Sequence, residues 1–206
     1  DPEFITYCDT EAEKFVAPFK SNSWVLGYYS DNEISWHKIN LDDYLALDVS
    51  DPIFIAANQW MIDRKGEGYA VSAADRNEFR GFVIDTYASA VKTALKKHDP
   101  NHMYIGCRLH AAAKYDKYIL RGIGKHVDIN SINFYARWEP EGGDMYTWLK
   151  EAGKPFLITE FYTKGKDSGL PNDQGAGWEV YTQEDRAHHY ENFALKLLSH
   201  AGSVGW

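Results

Sequence analysis

Two glutamates stand where chemistry is expected. Glu33 closes the stretch Ser23-Trp24-Val25-Leu26-Gly27-Tyr28-Tyr29-Ser30-Asp31-Asn32-Glu33, and Glu160 closes Lys154-Pro155-Phe156-Leu157-Ile158-Thr159-Glu160. Each is a short apolar run without helical spacing that ends in polar residues, as a strand covered on both faces reads. Ligands of α/β folds bind outside the carboxyl ends of the strands. Two strands of one parallel sheet would therefore carry both carboxylates to the same mouth. Such a pair suits cleavage at an acetal carbon, where one group attacks and the other protonates the departing oxygen. Carboxyl groups about 5–5.5 Å apart do not both ionise readily, so one keeps its proton. A single glutamate at a strand end is more often a solvated or ion-paired loop residue; it is the pair that points to catalysis.

The elements that must position this pair alternate along the chain. Apolar spacing predicts a helix over 9–20, then the strand ending at Glu33 and small helices near 41–47 and 52–63. The connection over 34–72 is long enough to be functional, with Trp36, His37, Trp60 and Arg64 available to shape a cleft. A capping-box-like Asp75-Arg76-Asn77-Glu78 opens a helix that Asp99-Pro100 stops. Strands are expected over 103–110, 127–135 and 154–160, with helices over 115–124 and 145–151 between them. A Gly-rich loop over 163–181, a helix opened by Thr182 and ended by Gly202, and a fifth strand over 203–206 complete the order. Alternation of this kind means a parallel sheet with crossover helices. The expected fold is α/β, a (β/α)8 TIM barrel seen as a partial barrel of roughly strands 4 to 8, with 1–206 as one domain; a complete barrel needs about 250 residues. A doubly wound open sheet of five strands is the alternative.

Composition narrows the partners. With 206 residues, 44% hydrophobic and 25% charged, the chain can bury a core. A net charge of −8 argues against nucleic acid and anionic membranes, and no apolar run is long enough to span a bilayer. Cys8 and Cys107 fall on a helix and a strand, and read as buried thiols rather than a disulfide. No metal or cofactor is expected: His188-His189 lacks a third zinc ligand and reads as a surface pair. Asp42, Asp43, Asp48 and Asp51 lack the alternation of a calcium loop and read as a solvated acidic face. Aromatic residues reach 15%, with 7 Trp and 14 Tyr, and sugar rings stack on such side chains. Trp36, Trp138 and Trp178 follow polar strand ends or lie in loops and are the stacking candidates, whereas Trp24 and Trp148 lie in apolar patterns and read as core. Arg108, His110 and Arg137 sit at strand tips, where each can meet hydroxyls or a sulfate, or pair with a neighbouring Asp.

The tip Asp31-Asn32-Glu33, the tip Ile158-Thr159-Glu160-Phe161-Tyr162 and the loop Asp167-Ser168-Gly169-Leu170…Gly175-Ala176-Gly177-Trp178 resemble the clan A glycoside hydrolases, and most of all glycoside hydrolase family 86, the β-agarases and β-porphyranases. The resemblance implies a retaining endo-β-glycosidase that cuts β-1,4 linkages of a red-algal galactan, agarose or porphyran. Glu33 would be the acid/base, Glu160 the nucleophile and Asn32 a partner of the sugar 2-hydroxyl. Tyr135 would touch the nucleophile, and Trp206 is a candidate for the tryptophan of strand eight. The early strands, with their usual arginine near the nucleophile, would come from outside this chain. A secreted, periplasmic or cell-surface location and a polysaccharide partner follow from the same likeness. The alternatives are another clan A enzyme, such as a β-galactosidase or mannanase, and a non-catalytic polysaccharide-binding domain.

Overall fold

The computed structural model describes residues 1–135 and 137–206. Helix α1 (Pro2–Phe15) begins earlier than the apolar spacing suggests, because Asp1 caps it by accepting from the Glu3 N–H and Pro2 sits in its first turn. A 3-10 turn over Ala17–Phe19 follows. Strand β1 (Gly27–Tyr28) is much shorter than the expected run. The Trp24 N–H donates to Asn22 Oδ1 at 3.0 Å and the Val25 N–H to the Asn22 carbonyl at 3.1 Å, so a local turn claims the start of the segment. Trp24 is thereby 93% exposed, against its expected place in the core.

After Glu33 the chain forms a 3-10 turn at Trp36–Lys38, α2 (Leu41–Leu45) and α3 (Pro52–Lys65), then the long α4 (Ala73–His98). Helix α4 does open with a capping box, but its N-cap is Ser72 and its N3 residue Asp75. The Asp75 carboxylate is buried and ion-paired with Lys65, which holds it well below the usual carboxylate range. The long connection lines a cleft with Tyr44, Pro52, Ile53 and Ala56, facing α1 and α4, but Trp60 and Arg64 are not part of that lining. Leu41, Ala57, Met61 and Phe79 make a second small core, Trp60 packs against Phe79 and Phe82, and Arg64 lies over Trp60 and pairs with Glu78.

Strand β2 (Met103–Tyr104), α5 (Lys117–Gly124), β3 (Asn130–Asn133), α6 (Gly142–Ala152) and β4 (Phe156–Glu160) then alternate as expected. Strand β1 pairs in parallel with β2, and β3 with β4. A parallel bridge from Leu109 to Ile132 joins these pairs, and one from Phe156 to Ser203 adds a further segment beside β4. The parallel segments thus run side by side in the order of the sequence, with the segment at Ser203 last. The 163–181 stretch, expected as loop alone, contains a small parallel pair, β5 (Thr163–Gly165) with β6 (Trp178–Val180), before α7 (Gln183–Leu198).

The main core lies between the parallel segments and the helices, around Ile84, Tyr104, Leu120, Ile132, Phe134, Trp148, Phe156 and Phe193. Trp148 is fully buried, as its pattern indicates. The helices over the parallel segments pack closely. A Cβ on Gly122 of α5 would sit 2.5 Å from the Gly81 carbonyl of α4, and one on Gly124 2.0 Å from the Ala152 carbonyl of α6. Glycine at these positions lets three helices approach over successive strands. Cys8 and Cys107 are free thiols, and burial pushes that of Cys107 up to about 12.

Candidate active site

The strand tips converge on a hydrogen-bonded group of polar side chains. Asn133 ends β3 beside Glu160 of β4, at a bulge between Ile132 and Asn133 that re-aims the strand end. The Asn133 amide Nδ2 donates to Glu33 Oε1 at 2.9 Å and to Asn32 Oδ1 at 3.0 Å. Its Oδ1 accepts from the Thr159 hydroxyl at 2.7 Å, and Thr159 immediately precedes Glu160. Both glutamates, from segments remote in sequence, therefore belong to one continuous network on one rim. Each is only partly buried, as a group that meets a ligand must be.

Glu160 is held from two sides. The Tyr135 hydroxyl donates to Oε2 at 2.5 Å, and the Arg108 guanidinium forms an ion pair with Oε1. Burial, the hydrogen bond to Glu160 and the charges of Glu160 and Glu33 all raise the Tyr135 phenol above its ordinary value, so it remains a donor. Arg108 also lies over the Tyr29 ring, and its main-chain N–H donates to Ser131 Oγ at 2.9 Å. Glu33 and Arg108 both have positive φ, +60° and +52°, a conformation that side-chain-bearing residues adopt at a cost of about 1–2 kcal/mol. Beneath them Lys114 is buried and donates to the Asn133 carbonyl at 3.1 Å. Burial, reinforced by Arg137, pushes its amine down to about 8 against the opposing pull of Asp144 and Glu33.

The remaining candidates divide. Trp138 is half-buried and meets the 42%-exposed Trp178 edge to face at 6.4 Å, so these two form an aromatic wall. The wall is anchored by His189, which is buried and not on the surface as expected. Its Nε2 donates to the Trp138 carbonyl at 2.8 Å and its Nδ1 accepts from the Thr163 hydroxyl at 2.5 Å. Burial lowers its pKa and favours this neutral tautomer. Tyr162 lies edge-on to Tyr135 at 5.3 Å, and Gly177 passes so close that a Cβ there would be 2.2 Å from its ring. His110 stays at the β2 end of the rim, edge-on to His37 at 5.8 Å.

One expectation changes, and two further candidates find partners within the protein. Trp36 does not stack with a ligand: it is 5% exposed and packs on Tyr87 at 4.9 Å inside the core. The 3-10 turn after Glu33 rotates it inward. Arg137 is engaged by Asp144 at 2.8 Å, Glu141 at 3.3 Å and the Tyr115 hydroxyl, which leaves it tied to α6 and not free for a sulfate. Trp206 leans against α7, where its Nε1 donates to the Tyr190 hydroxyl at 2.8 Å.

Asn133, Thr159 and Lys114 lie outside the set singled out from sequence. Asn133 had a readable signal, since it precedes Tyr135 by two on a strand and so shares its face. Lys114 had none, because a lysine after three alanines reads as solvated.

No protein-family model matches the chain. It is 28% identical over its whole length to β-agarase B of Vibrio sp. (strain JT0107), of which it covers 25%. Over 58% of its length it is 29% identical to β-agarase A of the same organism, covering 12% of that protein. Among solved structures, the crystal structure of BpGH50 matches 98% of the chain at 40% identity and TM-score 0.85, and the chain spans 46% of it. An exo-β-agarase matches the whole chain at 19% identity and TM-score 0.82, a likeness of fold, with 33% of that protein covered. The chain thus spans about a quarter to a half of the relatives that match it end to end. The motifs resemble family 86, whereas solved structures that match the chain carry the designation GH50. Along its whole length this chain is similar to β-agarases and to structures named for family 50.

Proposed function

We propose that this chain is part of the catalytic domain of a retaining β-glycosidase acting on agarose, with Glu33 as acid/base and Glu160 as nucleophile. The observation that carries the reading is the single network Glu33–Asn133–Thr159, next to Glu160 with its Tyr135 and Arg108 donors. Similarity to β-agarases supports the substrate class, and the sequential parallel order supports a (β/α)8 barrel of which this chain supplies roughly strands 4 to 8.

In this mechanism Glu33 protonates the departing glycosidic oxygen while Glu160 attacks the anomeric carbon. The transition state passes to a covalent glycosyl ester on Glu160. Glu33, now ionised, takes a proton from water as that water attacks, and the sugar leaves with retained configuration. Tyr135 and Arg108 aim the Glu160 oxygens, Asn32 is placed to read the 2-hydroxyl, and Trp138 with Trp178 offers apolar faces to neighbouring rings. A polysaccharide too large to cross a membrane implies action outside the cytoplasm.

Product anomers read by NMR during agarose digestion test the mechanism. Initial β-configured products are expected, and α-products would overturn retention. Glu33→Gln and Glu160→Gln should each abolish turnover of agarose, and full activity in either removes that residue from its role. Internal cleavage, expected from the sequence resemblance, predicts that viscosity falls far ahead of reducing-end release; a parallel course means cleavage from chain ends.

A further inference from the structure

Asn133 is fully buried, yet every polar atom of its side chain is used, and the Glu33 carboxylate fixes which way the amide points. The Glu33 carboxylate only accepts, so the amide nitrogen is the atom turned to it, and Asn133 Oδ1 is left to accept from the Thr159 hydroxyl at 2.7 Å. The amide nitrogen is then the atom facing Glu33 and Asn32, where it donates to both. Its main chain is fixed as well. The Asn133 N–H donates to the Leu109 carbonyl at 2.9 Å and its carbonyl accepts from buried Lys114. The amide therefore bridges the Thr159 hydroxyl, on the strand that carries Glu160, and Glu33 Oε1.

We propose that Asn133, anchored by Thr159, is the positioning residue that keeps the Glu33 carboxyl aimed at the departing glycosidic oxygen. Glu33 sits on a loop with positive φ, outside any strand, and its backbone alone does not determine where the carboxyl points. One amide bridging Asn32 and Glu33 fixes two substrate-facing groups with a single side chain. The inference rests on the assignment of Glu33 as acid/base.

The test uses leaving-group dependence in the natural full-length protein. Protonation by an acid matters for an alcohol leaving group such as a sugar, and little for a 4-nitrophenolate. Asn133→Ala is expected to lower kcat on agarose oligosaccharides by about 10- to 100-fold with KM little changed, the scale of one lost hydrogen bond to a charged group. On the corresponding 4-nitrophenyl glycoside the loss should be under about threefold, on the same scale of transition-state differences. Thr159→Val should show the same asymmetry in weaker form, and Thr159→Ser, which keeps the hydroxyl, should restore the wild-type pattern. An equal loss on both substrates, or none, overturns the positioning role. If Asn133→Ala does not fold, the Thr159→Val and Thr159→Ser pair decides the matter by the same criterion. Glu33→Gln run alongside separates the two roles: without leaving-group dependence in that variant, the acid/base assignment fails first.

Discussion

Tyr135→Phe isolates one hydrogen bond. The phenylalanine ring occupies the same space and keeps the edge contact with Tyr162 at 5.3 Å, so packing is preserved. What disappears is the 2.5 Å bond to Glu160 Oε2, leaving Arg108 on Oε1 as the other donor found among the described residues. A hydrogen bond to a charged acceptor contributes about 1.5–3 kcal/mol, and each 1.36 kcal/mol is about tenfold in rate. In the proposed mechanism the bond matters most when Glu160 regains its full negative charge as the glycosyl ester breaks. The variant should therefore lose about 10- to 150-fold in kcat, with a lower KM as the ester accumulates. Steady-state kinetics on agarose oligosaccharides, with mass spectrometry of the quenched protein to detect the ester, would read both effects. Should Tyr135→Phe keep kcat within about twofold while Glu160→Gln is inactive, Tyr135 takes no part in stabilising the nucleophile, by the same arithmetic.

Glu33 at φ +60° predicts an opposition between stability and activity. Glu33→Gly should be more stable to urea than Glu33→Ala by about 1–2 kcal/mol, both variants lacking the carboxyl. Asp99 is buried and accepts from the Tyr28 hydroxyl at 2.7 Å and from the His102 ring and main chain, bonds that outweigh burial and hold its carboxyl at about 2. Its folded pKa lies below the unfolded value, so the stability it contributes is complete above the ordinary carboxylate pKa and is lost as pH falls toward 2. Urea midpoints between pH 5 and pH 2 should fall more steeply for the wild type than for Asp99→Asn. Lys114 runs the other way: with its amine near 8 when folded and higher when unfolded, the unfolded chain binds more protons between those values. Stability should gain from Lys114 as pH rises through that window, and the difference from Lys114→Met should shrink or reverse accordingly.

Much of this architecture was legible because it depends on local periodicity. The β4 run ending at Glu160 and the helix that Gly153 stops follow from spacing and caps, and each forms where its residues indicate. The segment before Glu33 reads equally well as a strand, yet Asn22 builds a turn and leaves Trp24 in solvent. Trp36 and Trp138 both follow polar strand ends, but one faces the core and the other the rim, a choice made by the backbone direction after each tip. Arg108 and Arg137 are chemically alike and both sit at tips. Arg108 reaches Glu160, while Arg137 is captured by α6.

Hydrophobic period and turn chemistry act between near neighbours, and they suffice to bring a segment to its end at Asn32-Glu33, another at Glu160, and helices in alternation with them. They do not reach far enough to join Glu33, through one buried amide, to the strand bearing Glu160, or to close an arginine from β2's end on that glutamate. Those contacts link residues far apart in the chain, so no local pattern encodes them; they exist because parallel pairing sets the register that brings the strand ends side by side.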